Sequence, residues 1–126
     1  MNARDLLIAA RAKIEKPEAW TQGSAAKDMN GVPRLPLEFH ACQWCMLGAL
    51  AAAAEEARHR PDGSVLPWRA AHEAQDTAWL HLSDIVRYWD GQIVRYTVAD
   101  FNDARHRKHA DVLAAFDKAI ASLEGA

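Results

Sequence analysis

The run from Ala41 to Ala54 carries no charge, and it constrains the fold of this 126-residue chain more than any other stretch. Read as a helix, it places Cys42, Cys45, Met46 and Ala49 on one stripe and Trp44, Leu47, Gly48 and Ala51 on the next. A helix that is apolar on every side must be surrounded by protein. Its length, about 21 Å in helical form, is short of the ~30 Å that crosses a bilayer. A buried central helix from about Phe39 to His59 is therefore expected, with Gly48 and the alanines letting neighbouring helices approach closely. Glu55, Glu56, Arg58 and His59 mark its emergence into solvent, and Pro61-Asp62-Gly63 turns the chain.

The remaining segments read as helices around that centre. Asn2 and Asp5 resemble a capping box, and Leu6, Leu7, Ala10 and Ile14 follow at helical spacing until Pro17. From Trp20 to Glu38 periodicity is lost among Gly23, Asn30-Gly31, Pro33 and Pro36, the composition of a long functional loop or lid. From Ser64 or Pro67, the residues Trp68, Ala71, Gln75, Ala78, Trp79 and Leu82 recur at three- and four-residue steps. Ser83 can recap this stretch into two shorter helices. Ile-Val-Arg-Tyr occurs at 85–88 and again at 93–96, around Asp90-Gly91. This reads either as helix–Gly–helix or as a small hairpin, and the helical reading is preferred because nothing else resembles sheet. Thr97 to Asp100 starts a short helix into Phe101-Asn102-Asp103. A basic connector, Arg105 to His109, leads to a final helix lined by Val112, Leu113, Phe116, Ile120 and Leu123 and closed by Gly125. The fold class expected is all-α: one compact domain over 1–126, a bundle of four to six helices.

The formal net charge of −2 gives no overall field toward nucleic acid or acidic membranes. The N-terminus lacks an export signal, so a cytoplasmic protein with reduced thiols is expected, and a Cys42–Cys45 bridge is not.

Four groups can carry chemistry or binding. Cys42 and Cys45, with His40 adjacent, supply part of a tetrahedral zinc set, but the second pair of ligands that a zinc signature needs is missing. His106 and His109 would have to be brought there by the fold. A thioredoxin-like reading of Cys-x-x-Cys lacks its βαβ context. As a nucleophile, Cys45 near a helix start would be a better thiolate, needing a histidine base and an orienting Asn102 or Asp103. The favoured reading is two small, buried, inert thiols. Asn102 and Asp103 more simply fix a turn by bonding nearby backbone. Arg105, Arg107 and Lys108 precede a helix N-terminus, where the dipole disfavours cations, which hints at a partner; a solvated connector is the simpler account. Trp20 and Gln22 sit in a Trp-Thr-Gln-Gly turn that either binds or pins the loop to the core.

These motifs carry a resemblance. Trp20-Thr21-Gln22-Gly23 after the first helix, Trp44-Cys45 with Gly48-Ala49-Leu50, and Asn102-Asp103 before the last helix resemble a family of small bacterial and phage proteins recorded as a domain of unknown function. The likeness covers residues 6 to 121. The chain departs from that pattern at Phe101, where the family has Trp, and at Lys108, where it has a capping Thr; Cys42 lies outside it. The resemblance implies an all-helical domain and no particular activity.

The reading that follows is an accessory or regulatory protein of phage or mobile-element type, acting through an unknown protein partner and without a cofactor. Its binding surface is expected in the 20–38 loop and the basic connector: Trp20, Gln22, Arg105, Arg107 and Lys108. The alternative is a small site centred on Cys45, catalytic with Asn102 and Asp103 or holding zinc through His40, Cys42 and Cys45.

Overall fold

The computed structural model describes residues 2–124 and is mostly helical, with one small sheet. Its elements are α1 (Ala3–Lys13), β1 (Ala26–Lys27), β2 (Pro33–Arg34), β3 (Gln43–Trp44), α2 (Met46–Arg58), α3 (Trp68–Val86), α4 (Val98–Asp103) and α5 (His109–Ser122). A single 3-10 turn, Pro17–Ala19, follows α1. The all-α expectation is thus corrected over residues 26–44. There the three strands pair antiparallel in the order β2-β1-β3, with Ala26 opposite both Arg34 and Trp44.

Helix α1 forms as its sequence dictates. The Asn2 side chain accepts the Asp5 N–H at 2.8 Å, and Leu6, Leu7 and Ala10 are buried. The β1–β2 hairpin turns on Asp28, whose Oδ1 accepts the Asn30 and Val32 N–H groups at 2.9 and 3.0 Å. Gly31 supplies the left-handed residue there, with φ +78°. Bonding to the Val32 N–H, with help from Arg34, holds the Asp28 carboxyl below its usual range.

Helix α2 begins at Met46 rather than near Phe39. Gln43 and Trp44 are extended because they pair with β1, and an apolar run supports a strand as readily as a helix. Met46, Ala49, Leu50 and Ala53 are buried, and α1, α3 and α4 all pack on this helix. Gly48 does permit a close approach, but the neighbour is not a helix. A Cβ at Gly48 would lie 1.9 Å from the Ala25 carbonyl oxygen.

Helix α3 runs uninterrupted through Ser83. Beyond it, neither reading of 85–96 holds. The chain turns at Gly91 (φ +101°) and the Tyr96 N–H donates to the Arg87 carbonyl at 3.0 Å, with no strand or helix over 93–96. Ile93 is 99% and Val94 40% exposed, so the second copy of the repeat packs only through Tyr96, which lies against Phe101. One hydrophobic cluster runs from Ala3 to Ala119 and includes Leu7, Leu50, Leu82, Phe101 and Phe116. Gly125, expected to close α5, lies outside the described residues. Among the described residues no helix is long and apolar enough to cross a membrane.

Candidate functional site

The three separated motifs singled out in the sequence meet at the N-terminus of α2. Asn102, at the end of α4, is 1% exposed and stands at the centre. Its Oδ1 accepts the Trp20 indole N–H at 2.8 Å and the Met46 backbone N–H at 3.0 Å. Its Nδ2 donates to the Thr21 carbonyl at 3.1 Å and to Asp103 Oδ1 at 2.9 Å. Both acceptor and both donor positions of the amide are therefore used. The orientation is forced, because the indole and the Met46 N–H can only donate.

Around this centre the Trp20–Gly23 turn is fastened twice more. Gln22 Nε2 donates to the carbonyls of Asn102 and Ala104 at 2.8 and 3.1 Å. Asp103 Oδ1 also accepts the Gly23 N–H at 2.9 Å. The Thr21 N–H bonds the Trp44 carbonyl, tying the turn to β3. Trp20 and Gln22, expected to face a partner, turn their polar atoms inward onto α4. This is the pinning role, executed by hydrogen bonds.

Cys45 completes the joint as the N-cap of α2. Its Sγ accepts the Gly48 N–H at 3.2 Å and its own N–H bonds the Ala25 carbonyl at 3.1 Å. The first N–H groups of a helix have no partner inside it, and here a thiol and an amide share the work normally given to Ser, Thr or Asp. Burial pushes the Cys45 thiol up and the nearby Asp103 charge adds to this, while the Gly48 and Leu47 N–H groups act in the other direction. Desolvation outweighs the helix terminus, opposing the thiolate that the nucleophile alternative requires, and the thiol serves as the cap of α2. No ring nitrogen of a histidine bonds Cys45, Asn102 or Asp103 among the described residues. His109, one of the candidate bases, bonds the Ile14 carbonyl instead at 2.6 Å.

Cys42 lies outside the joint and is exposed, as is His40. Two buried thiols were expected; the sheet separates them by turning one outward. Among the described residues no three His, Cys, Asp or Glu side chains are grouped to hold a metal, so His40, Cys42 and Cys45 do not form a ligand set. Native protein should accordingly show one fast thiol toward an aromatic disulfide reagent and a second only after unfolding. Cys42→Ser should abolish the fast phase. Fast labelling that persists in Cys42→Ser would return Cys45 to the role of nucleophile.

The basic connector divides. Arg105 and Lys108 are exposed, but the Arg107 side chain is 1% exposed. Its Nε donates to the Phe101 carbonyl at 2.9 Å, its guanidinium lies 3.7 Å over the Phe101 ring, and Asp90 and Asp111 flank it at 3.5 and 3.8 Å. Arg107 is removed from the expected binding surface, because it fastens α4 to the head of α5. Lys108 presents its backbone N–H to Asp111 at 3.2 Å, half of a capping box.

The architecture so far is a small helical domain whose loop, central helix and α4 are joined by a saturated polar clasp. The chain belongs to the family of unknown function DUF6197, whose pattern matches residues 1–122. No curated protein and no solved structure matches it.

Proposed function

We propose that the protein is an accessory or regulatory interaction module, without catalysis at the clasp, that presents its 29–39 segment to an apolar stretch of a partner protein. One observation carries this reading. Met29, Val32, Leu35, Leu37 and Phe39 are all exposed within eleven residues of chain, Met29 at 86% and Phe39 at 95%. Single exposed apolar side chains are ordinary, whereas a run of them on one segment marks a contact surface.

The segment is also held in shape. Arg34 pairs with Asp28 at 3.0 Å and with Glu38 at 3.5 Å, and the Trp44 indole N–H donates to the Pro36 carbonyl at 3.0 Å. Its charges are thus paired with one another and turn no free ion toward a partner. A preformed surface loses little freedom on binding, which favours recognition over a merely sticky loop. Clefts of about 560 and 260 Å³ flank it, with Pro36 and Trp79 in the first and Leu37 and Trp68 in the second. Arg105 and Lys108 remain a second, weaker candidate surface.

The test uses a photo-reactive phenylalanine analogue at position 39 in the native host. A discrete cross-link to a different protein, lost in Leu35→Ser/Leu37→Ser and kept in Arg105→Gln/Lys108→Gln, is the expected result. Absence of any heterologous cross-link overturns the reading.

A further inference from the structure

We infer that a pocket of about 300 Å³ between α3 and the 95–97 segment binds a small planar aromatic carboxylate. Its walls are Trp79, Ser83, Arg87, Arg95, Tyr96 and Thr97. Trp79, Ser83 and Arg87 succeed one another at four-residue steps, so they stack along one face of α3 and its last turn. This places an indole, a hydroxyl and a guanidinium in a row, from apolar to charged.

Three observations define the occupant. First, Ser83 Oγ is shielded from solvent and has no hydrogen-bond partner among the described residues. A buried hydroxyl left unpaired by the protein is uncommon, and a change of its χ1 rotamer would turn it toward an acceptor in the pocket. Second, two guanidinium groups share the pocket wall. Arg87 meets only Asp84, at 3.6 Å and with both side chains more than half exposed, and Arg95 has no carboxylate partner among the described residues. Counting Asp84, one net positive charge remains, which suits a monoanion better than a phosphate dianion. The carbonyl end of α3 opposes an anion, but its partial charge of about −0.5 is smaller than one guanidinium. Third, the remaining wall is aromatic. The Tyr96 hydroxyl is already committed to Asp90 at 2.6 Å and Arg107 lies 5.1 Å over its ring, so Tyr96 offers only the rest of that ring. Arginine forks match carboxylate geometry and aromatic faces match a planar ring. The volume sits at the lower end of ligand pockets, room for one or two fused rings.

This site is independent of the 29–39 surface, and its test is separate. The Trp79 indole N–H signal, assigned with Trp79→Phe, is followed by NMR while 2-naphthoate is added to the full-length protein. The expected result is a saturable shift at Trp79 and at the Arg95 side chain. Acetate, which lacks the ring, and 2-naphthalenemethanol, which lacks the charge, should each bind about tenfold more weakly or not at all. Arg95 is exposed, so Arg95→Gln should fold normally and weaken 2-naphthoate about tenfold or more. Ser83→Ala, a second variant with no fold risk, should weaken it several-fold. Three outcomes overturn the proposal: no saturable shift at Trp79, equal binding of the neutral alcohol, or unchanged affinity in both variants. Tighter binding of 2-naphthyl phosphate than of 2-naphthoate would overturn the assignment to a carboxylate.

Discussion

Gly48→Ala is expected to destabilise the protein by about 2–4 kcal/mol, lowering the thermal midpoint by roughly 10–15 °C. Helix propensity alone forecasts the reverse, since alanine improves on glycine by about 0.8–1.0 kcal/mol inside a helix. The clash outweighs that gain. The new Cβ would stand 1.9 Å from the Ala25 carbonyl oxygen and 2.8 Å from its carbon, and both belong to backbone. The segment around Ala25 must retreat by more than about 1 Å to restore ordinary contact. That retreat breaks the bond from the Cys45 N–H to Ala25 and pulls on Ala26, which pairs on both sides within the sheet. Chemical denaturation of Gly48→Ala against the parent decides the matter. An unchanged or raised midpoint would show that Ala25 does not lie against α2.

The same residue illustrates what was legible in the chain and what was not. A glycine among alanines on an all-round apolar helix announces close packing, and that much follows from side-chain size. The identity of the neighbour does not follow, because Ala25 presents only its carbonyl and the contact leaves no trace in residue type. The start of α1 and the buried faces of α1 and α5 were readable since their signals are local: Asn2 caps three residues ahead, and the buried faces repeat at helical steps. The sheet was hidden. Its strands are two residues long, too short for alternation to show, and Pro33 on an edge strand reads as a breaker. The start of α2 was obscured for a related reason, because Cys45 is not a residue type that marks an N-cap. Arg107 looked like its exposed neighbours Arg105 and Lys108 until Phe101 and Asp90 were brought around it. The clasp itself joins residues about eighty positions apart, such as Gln22 and Asn102. No spacing rule reaches that far, so its members were found as separate motifs and their meeting was not.

Asn102→Leu should be the most damaging single change at the clasp, costing about 3–6 kcal/mol, a large fraction of the roughly 5–15 kcal/mol that holds an ordinary domain folded. Leucine has nearly the shape of asparagine, so packing changes little and the loss is one of hydrogen bonds. The Met46 N–H, the Trp20 indole N–H and the Thr21 carbonyl all lose their partner in a region closed to water. Each buried group left unpaired costs roughly 1–3 kcal/mol. Relief by water would require the Trp20–Gly23 turn to lift, and Gln22 and Asp103 hold it down through three further hydrogen bonds. Asn102→Asp provides the comparison. Its carboxylate keeps both acceptor bonds and still caps α2, but it loses both donor bonds and faces Asp103 with like charge. It should fall between the parent and Asn102→Leu in denaturant midpoint at neutral pH. Because that like charge and burial raise the pKa of the introduced carboxyl, its penalty should ease as pH falls through that raised value. Protonation returns one donor and removes the repulsion, whereas Asn102→Leu has no group at this position to titrate. If Asn102→Leu is as stable as the parent, the clasp does not hold the fold. Asn102 and Asp103 would then regain their claim to a catalytic role.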